Sequence, residues 1–370
     1  MPGGWNLAGM TGVKEQYWAY RLESVRFRVF QGWTASLISF FSWWSKENRV
    51  LILPILLENH SMNITTRLAD NEVIIIDGAM GTELQRRGAP MDHEIWSAAA
   101  LLSHPHLVRE IHVDYIRAGA EIQIAATYNT APHVINPSSF DTTSRELTAT
   151  ALRLVREGID FAESAHPVWI AGSISTTVES RRKELLDISM LRDSYTEHAE
   201  NLAEQGCDLL MLEMMLTHDF AIDLEFQAEI AAIAKRTGLP VWAGIAVKMA
   251  ETGALHLQDG PEDSGEALRT AIEALLAEGV DVAGIMHSEV EATLPALDLL
   301  EQYWSGPVAV YPNSGQYRRP VWYFDSMIAP DKFAADAMQW VQRGVKAIGG
   351  CCGIGPEHII ELSKALGRMT

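Results

Sequence analysis

Only three of the 370 residues are cysteine, namely Cys207, Cys351 and Cys352. Two of these are adjacent, and a bond between neighbours would strain the peptide that joins them. This set makes no disulfide framework and points to a reducing compartment. Positive charge is also scarce: 29 Lys and Arg face 48 Asp and Glu, for a formal net charge of -19. An acidic surface repels phosphate backbones, so no nucleic-acid partner is expected, whereas a cationic small substrate is tolerated. Long apolar runs are missing too. The runs at 33–44 and 50–57 are too short to span a bilayer, and the second contains Pro54. No small-residue cleavage site follows a compact apolar core, which fits poorly with a secretory signal. A cytoplasmic protein without stable membrane insertion is therefore expected.

Residues 1–61 differ from the rest. They hold Trp5, Trp18, Trp33, Trp43 and Trp44, five of the eleven tryptophans, and a basic patch around Arg21, Arg26 and Arg28. This stretch reads as an extension outside the fold, upstream of a true translation start at Met62. A membrane-surface or targeting segment is the alternative.

From residue 70 onward, short runs rich in Val, Ile, Leu and Ala alternate with longer amphipathic segments. Strands are predicted at 73–77, 121–127, 168–173, 208–213, 241–247, 282–287, 308–312 and 345–349. Helices are predicted at 104–118, 144–165, 190–205, 220–236, 262–278, 291–303, 331–343 and 356–366. Apolar strands alternating with helices imply a parallel sheet covered by helices. Eight such units in about 300 residues match one (β/α)8 barrel over 62–370. A doubly wound open sheet is the alternative, but Asp77-Gly78-Ala79-Met80-Gly81-Thr82 lacks the spacing of its phosphate loop.

Barrel chemistry collects at the C-terminal ends of the strands. There the sequence places Asp77-Gly78, Thr127-Tyr128-Asn129, Glu213, His287, Tyr311-Pro312-Asn313-Ser314-Gly315 and Cys351-Cys352. Taken singly, each reads equally well as loop polarity or a helix cap. Glu213 closes the apolar run Leu209-Leu210-Met211-Leu212, where an unpaired carboxylate is costly to bury. The run Gly349-Gly350-Cys351-Cys352-Gly353 lets the backbone turn closely and offers two thiolates to one soft ion, with zinc the best match. A buried structural cysteine pair is the alternative.

The region 73–366 resembles the homocysteine S-methyltransferase family of zinc-dependent barrels. The likeness lies in Asp77-Gly78-Ala79-Met80-Gly81-Thr82-Glu83-Leu84, in Tyr115-Ile116-Arg117-Ala118-Gly119-Ala120-Glu121, in Gly206-Cys207-Asp208-Leu209-Leu210-Met211-Leu212-Glu213, and in Tyr311-Pro312-Asn313-Ser314-Gly315 followed by Gly349-Gly350-Cys351-Cys352-Gly353. The resemblance implies three cysteine ligands for zinc, two of them at Cys351 and Cys352. The third position, at the end of the sixth strand, is occupied here by His287, preceded by Met286. Cys207 opens the fourth strand, at the wrong end of the barrel, and reads as packing. Two other departures are Ser175-Thr176-Thr177 in the loop after the third strand and Met214 after Glu213.

The resemblance implies zinc-dependent methyl transfer from a sulfonium or ammonium donor, with an S-methylmethionine-like donor favoured, to the thiol of homocysteine. The ion would be held by His287, Cys351 and Cys352, since Cys2His sites occur in catalytic zinc enzymes. Histidine for cysteine leaves the centre one unit less negative, which favours thiolate formation and lowers sulfur nucleophilicity. Asp77, Gly78 and Asn313 would bind the acceptor or shape the mouth. Glu213 would accept a hydrogen bond from the acceptor's ammonium, and Tyr128 would lie near the donor methyl. Lys248 is the alternative partner for Glu213. The expected partners are a small-molecule thiol and a methyl donor, and an oligomer is compatible with this reading. Competing functions are a zinc hydrolase, a barrel acting on another thiol or methylated substrate, and an inactive binding protein.

Overall fold

The computed structural model describes residues 63–70, 72–176, 187–216, 224–318 and 321–369. The extension read at 1–61 lies outside the described residues, as does Thr177 of the altered loop. Eight strands form the central sheet: β1 (Ile74–Ile75), β2 (Ile122–Ile124), β3 (Trp169–Ser175), β4 (Leu209–Met215), β5 (Val241–Ile245), β6 (Val282–Glu289), β7 (Val308–Asn313) and β8 (Ala347–Ile348). All pair in parallel with their sequence neighbours. β8 returns to β1 through Ile74 and Ala347, and a parallel bridge between Ile76 and Ile122 joins β1 to β2. The ring is closed, and the predicted (β/α)8 barrel is the observed fold.

The surrounding helices fall where the apolar periodicity placed them. They include Pro105–Arg117, Ser144–Ala162, Ile188–Glu204, Leu224–Lys235, Gly265–Ala277, Thr293–Leu300, Pro330–Gln342 and Pro356–Ala365. Local chemistry sets several starts. Thr143 and Glu146 form a reciprocal capping box, and Pro105, Pro330 and Pro356 occupy the first turn, where a missing N–H costs nothing. No helix among the described residues is long and apolar enough to cross a membrane.

Two antiparallel ribbons depart from the expectation. Val247–Met249 pairs with Leu255–Leu257 after β5, and Gln316–Arg318 pairs with Val321–Tyr323 after β7. Three-residue strands are too short to leave a period in the sequence.

Alternation along each strand sorts the core into two regions. Ile74 and Ile76, Ile122 and Ile124, Trp169 and Ala171, Leu209 and Met211, Trp242, Val282 and Met286, Ala309 and Tyr311, and Ala347 fill the barrel interior. Intervening residues such as Ile75, Ile170, Leu210, Leu212, Ala283, Ile285, Val310 and Ile348 face the helices. The same parity carries Ser173, Glu213 and Asn313 to the next inward positions, above the apolar layers at the C-terminal end.

Candidate active site

A pocket of about 750 Å³ opens at that end of the barrel. Gly78, Tyr128, Glu213, His287, Asn313, Cys351 and Cys352 all line it. Asp77 is not in the wall. It sits beneath, with Oδ2 accepting from the Ile124 N–H at 2.8 Å and Oδ1 accepting from the Tyr311 hydroxyl at 3.2 Å. Burial raises the Asp77 pKa well above its ordinary value; the nearby Glu213 charge adds to this, and the two hydrogen bonds oppose it. Cys207 lies apart from the pocket. Its thiol is buried and donates to the Leu202 carbonyl at 3.1 Å, and burial pushes its pKa up to about 12, as suits a packing residue.

Glu213 is 4% exposed and has two partners. Ser173 Oγ donates to Oε1, and His287 Nε2 lies 2.8 Å from Oε2. Ser173 is itself clamped, since its N–H donates to Thr127 Oγ1 at 2.9 Å. The cationic partner that a buried carboxylate calls for is thus His287, and Lys248 is an exposed residue of the ribbon at the mouth.

His287 reaches the pocket against strand parity. Val282 and Met286 point inward, so His287 should point outward with Ala283 and Ile285. A bulge between Met286 and Glu289 and a positive φ of 55° at His287 turn it in. Met214 has a matching φ of 57°, within a register shift between Leu212 and Met215. Bulges of this kind are a common means of re-aiming side chains beside active sites.

The cysteine loop packs closely on its neighbours. A Cβ at Gly349 would sit 2.5 Å from the Asp77 carbonyl, and Gly353 has a φ of +84°. The Gly353 N–H donates to Thr82 Oγ1 at 3.1 Å. Cys351 Sγ and Cys352 Sγ are 3.8 Å apart. Ligand-capable atoms of Glu213, His287 and Cys351 lie within 4.8 Å of one another.

The cluster proper is thus an oxygen, a nitrogen and one sulfur, with the Cys352 sulfur adjoining it through Cys351, and donors of these kinds fit zinc. A tetrahedral ion with Zn–S bonds of about 2.3 Å places two sulfurs about 3.8 Å apart, the spacing found here. The electrostatics agree. The contact with the Cys352 sulfur, followed by burial, holds the Cys351 thiol well above its ordinary pKa, with His287 opposing. Two thiolates this close need a cation to coexist. Burial disfavours a charged His287 ring, yet the Cys351 sulfur and the Glu213 carboxylate together push its pKa up to about 10.

The structure adds groups that the sequence reading did not single out. Trp96 lines the pocket beside Tyr128, with ring centroids 6.4 Å apart in an edge-on arrangement, and Tyr128 lies 5.7 Å from the His287 ring. Trp96 adopts a φ of 47°, held by a turn in which Asp92 Oδ1 accepts from the Glu94 and Ile95 N–H groups. Nothing in the sequence around Trp96 pointed to a pocket wall. Ser173, inside β3, carried no signal beyond its place just ahead of an altered loop.

Comparison with known proteins agrees with this geometry. A family model for homocysteine S-methyltransferase matches residues 74–366. The homocysteine S-methyltransferase of Escherichia coli K12 is 28% identical over 311 residues, which cover 80% of this chain and 96% of that protein. A selenocysteine methyltransferase of Astragalus bisulcatus is 27% identical over 325 residues, covering 79% and 92%. Among solved structures, the metallated form of the homocysteine methyltransferase MmuM from Escherichia coli superimposes with a TM-score of 0.62 at 28% identity, covering 79% of this chain and 96% of that one. With a closed barrel, a thiol and imidazole cluster at its mouth and a family match over most of its length, this chain belongs to the homocysteine S-methyltransferase family of methyltransferases.

Proposed function

We propose that this protein transfers a methyl group from a sulfonium or ammonium donor, S-methylmethionine-like in type, to the thiol of homocysteine, giving methionine, and that zinc is its metal. The observation that carries this reading is the clustering of the Cys351 sulfur, the His287 imidazole and the Glu213 carboxylate, with the Cys352 sulfur 3.8 Å from that of Cys351, in a pocket that also presents the rings of Trp96 and Tyr128. Cys351, Cys352 and His287 would hold the ion. Bound zinc lowers the pKa of a thiol, so that the acceptor is a thiolate at neutral pH.

The remaining roles fall to the chain's own groups. Glu213 keeps lone pairs beyond those facing Ser173 and His287, and these accept from the acceptor's ammonium. The Gly78 backbone in the wall and Asp77 beneath it would border the same amino-acid end, and Asn313 would border the mouth. The faces of Trp96 and Tyr128 suit an onium methyl through cation–π attraction. Transfer then forms one S–C bond to the acceptor and breaks the methyl–onium bond, S–C in a sulfonium or N–C in an ammonium, so that the donor leaves as a neutral thioether or amine, with the thiol proton already lost to solvent. A cytoplasmic setting suits free thiols. Another thiol or a selenol as acceptor is the second reading, favoured by Met214 and His287 in the wall and by the likeness to the Astragalus enzyme.

The test is metal analysis of protein purified without chelator, together with turnover of S-methylmethionine, dimethylsulfoniopropionate, betaine and S-adenosylmethionine against homocysteine. About one zinc per chain and thiol-dependent turnover with an onium donor are expected. Metal-free protein that turns over at full rate would sink the zinc assignment, and no methyl transfer from any of these donors would sink the reaction.

A further inference from the structure

Asn313 ends β7, the strand that lies between β6 and β8. Both halves of its side-chain amide are engaged with main chain. Nδ2 donates to the His287 carbonyl at 3.0 Å, and Oδ1 accepts from the Cys352 N–H at 3.1 Å. One amide therefore joins the turn that carries His287 to the loop that carries the cysteine pair.

The two sides need this link to different degrees. The cysteine loop is also held by β7 backbone: the Cys351 N–H donates to the Pro312 carbonyl, and the Ser314 N–H donates to the Cys352 carbonyl, each at 2.8 Å. The His287 turn is held differently: the Ser288 hydroxyl accepts from the Val247 N–H at 2.9 Å, on the side away from β7, and neither His287 nor Ser288 is in register with β7. Met286 pairs with Tyr311 and Glu289 pairs with Asn313, so the bulge leaves His287 and Ser288 outside the register. His287 also holds a positive φ, a conformation that a residue with a Cβ keeps only when its surroundings impose it. The Asn313 amide supplies a β7 donor to the His287 carbonyl at this break in register.

We infer that Asn313 is a positioning residue of the metal centre, which sets His287 against the Cys351–Cys352 pair by clipping their backbones together. An amide is the side chain suited to this place. It carries a donor and an acceptor at one fixed separation. Aspartate has the same shape but turns an oxygen toward the His287 carbonyl, and glutamine is one methylene too long.

The inference rests on the metal reading above, and the experiment separates the two. Full-length wild type, Asn313→Asp and Asn313→Ala are stripped of metal, then loaded with zinc against a competing chelator or with cobalt(II) for its visible spectrum. Loss of a partner that orients a ligand typically weakens metal binding by about 10- to 100-fold. Both variants are expected to show a loss of that size, with the cobalt ligand-field bands shifted and the sulfur-to-cobalt charge-transfer absorption retained, because both thiols remain. Chelator competition within about twofold of wild type and an unchanged cobalt spectrum would overturn the positioning role while leaving the metal reading intact. Wild type that binds neither ion would overturn both. Near-UV circular dichroism of the metal-free proteins checks folding, and failure of both variants to fold would also overturn the proposal, since Asn313 would then be a general structural residue.

Discussion

Glu213 stands where two demands meet, and substituting it separates them. Its Oε2 faces His287 Nε2 at 2.8 Å, and the two residues are 4% and 7% exposed. In the proposed reaction it also accepts from the acceptor's ammonium. Glu213→Gln keeps the shape and removes the charge. Breaking a buried charge pair costs about 2 kcal/mol or more, so acceptor binding should weaken roughly 30-fold. A hydrogen bond to a charged group contributes about 1.5–3 kcal/mol, and that second loss should appear as lower stability, through His287. The two effects part in a double-mutant cycle with His287→Cys, which removes the imidazole and restores a thiolate ligand. In the His287 background, Glu213→Gln is expected to lower both the melting temperature and acceptor affinity. In the His287→Cys background, only acceptor affinity should fall. Initial rates over a range of homocysteine concentrations, thermal melts and metal content for the four proteins make the cycle. If the acceptor effect disappears once His287 is cysteine, Glu213 serves the histidine alone and its role toward the substrate is wrong.

Three other outcomes are expected. Replacing Cys351 or Cys352 with alanine should abolish zinc binding, whereas His287→Cys should retain it, as metal analysis would show. Removing residues 1–61 should leave solubility and activity unchanged, because strand–helix alternation starts after them; failure of the shortened chain to fold would show that they are needed. In metal-free protein, the His287 pKa of about 10 exceeds its unfolded value of 6.5. A ring raised in this way contributes stability that is complete below about pH 6.5 and lost as pH rises toward 10. Melts between these limits should fall in wild type and flatten in His287→Gln, and equal slopes would contradict the pairing of His287 with the Cys351 sulfur and Glu213.

The eight-fold order of strands and helices was legible in the sequence because each strand is a short, fully buried run and each helix carries its own apolar stripe. Strand parity likewise determined that Glu213 and Asn313 point inward, and the glycines around Cys351-Cys352 already announced a close turn. Those features depend on contacts within one element, or on burial alone. Only the tertiary structure decided that His287 enters the pocket, since its parity points outward and the bulge that turns it depends on register with β7. The same holds for the pairing of Glu213 with His287, for Ser173 behind it, and for the Trp96 wall. These contacts join residues far apart in the chain, and their geometry exists only once the barrel has closed and brought the strand ends to one rim.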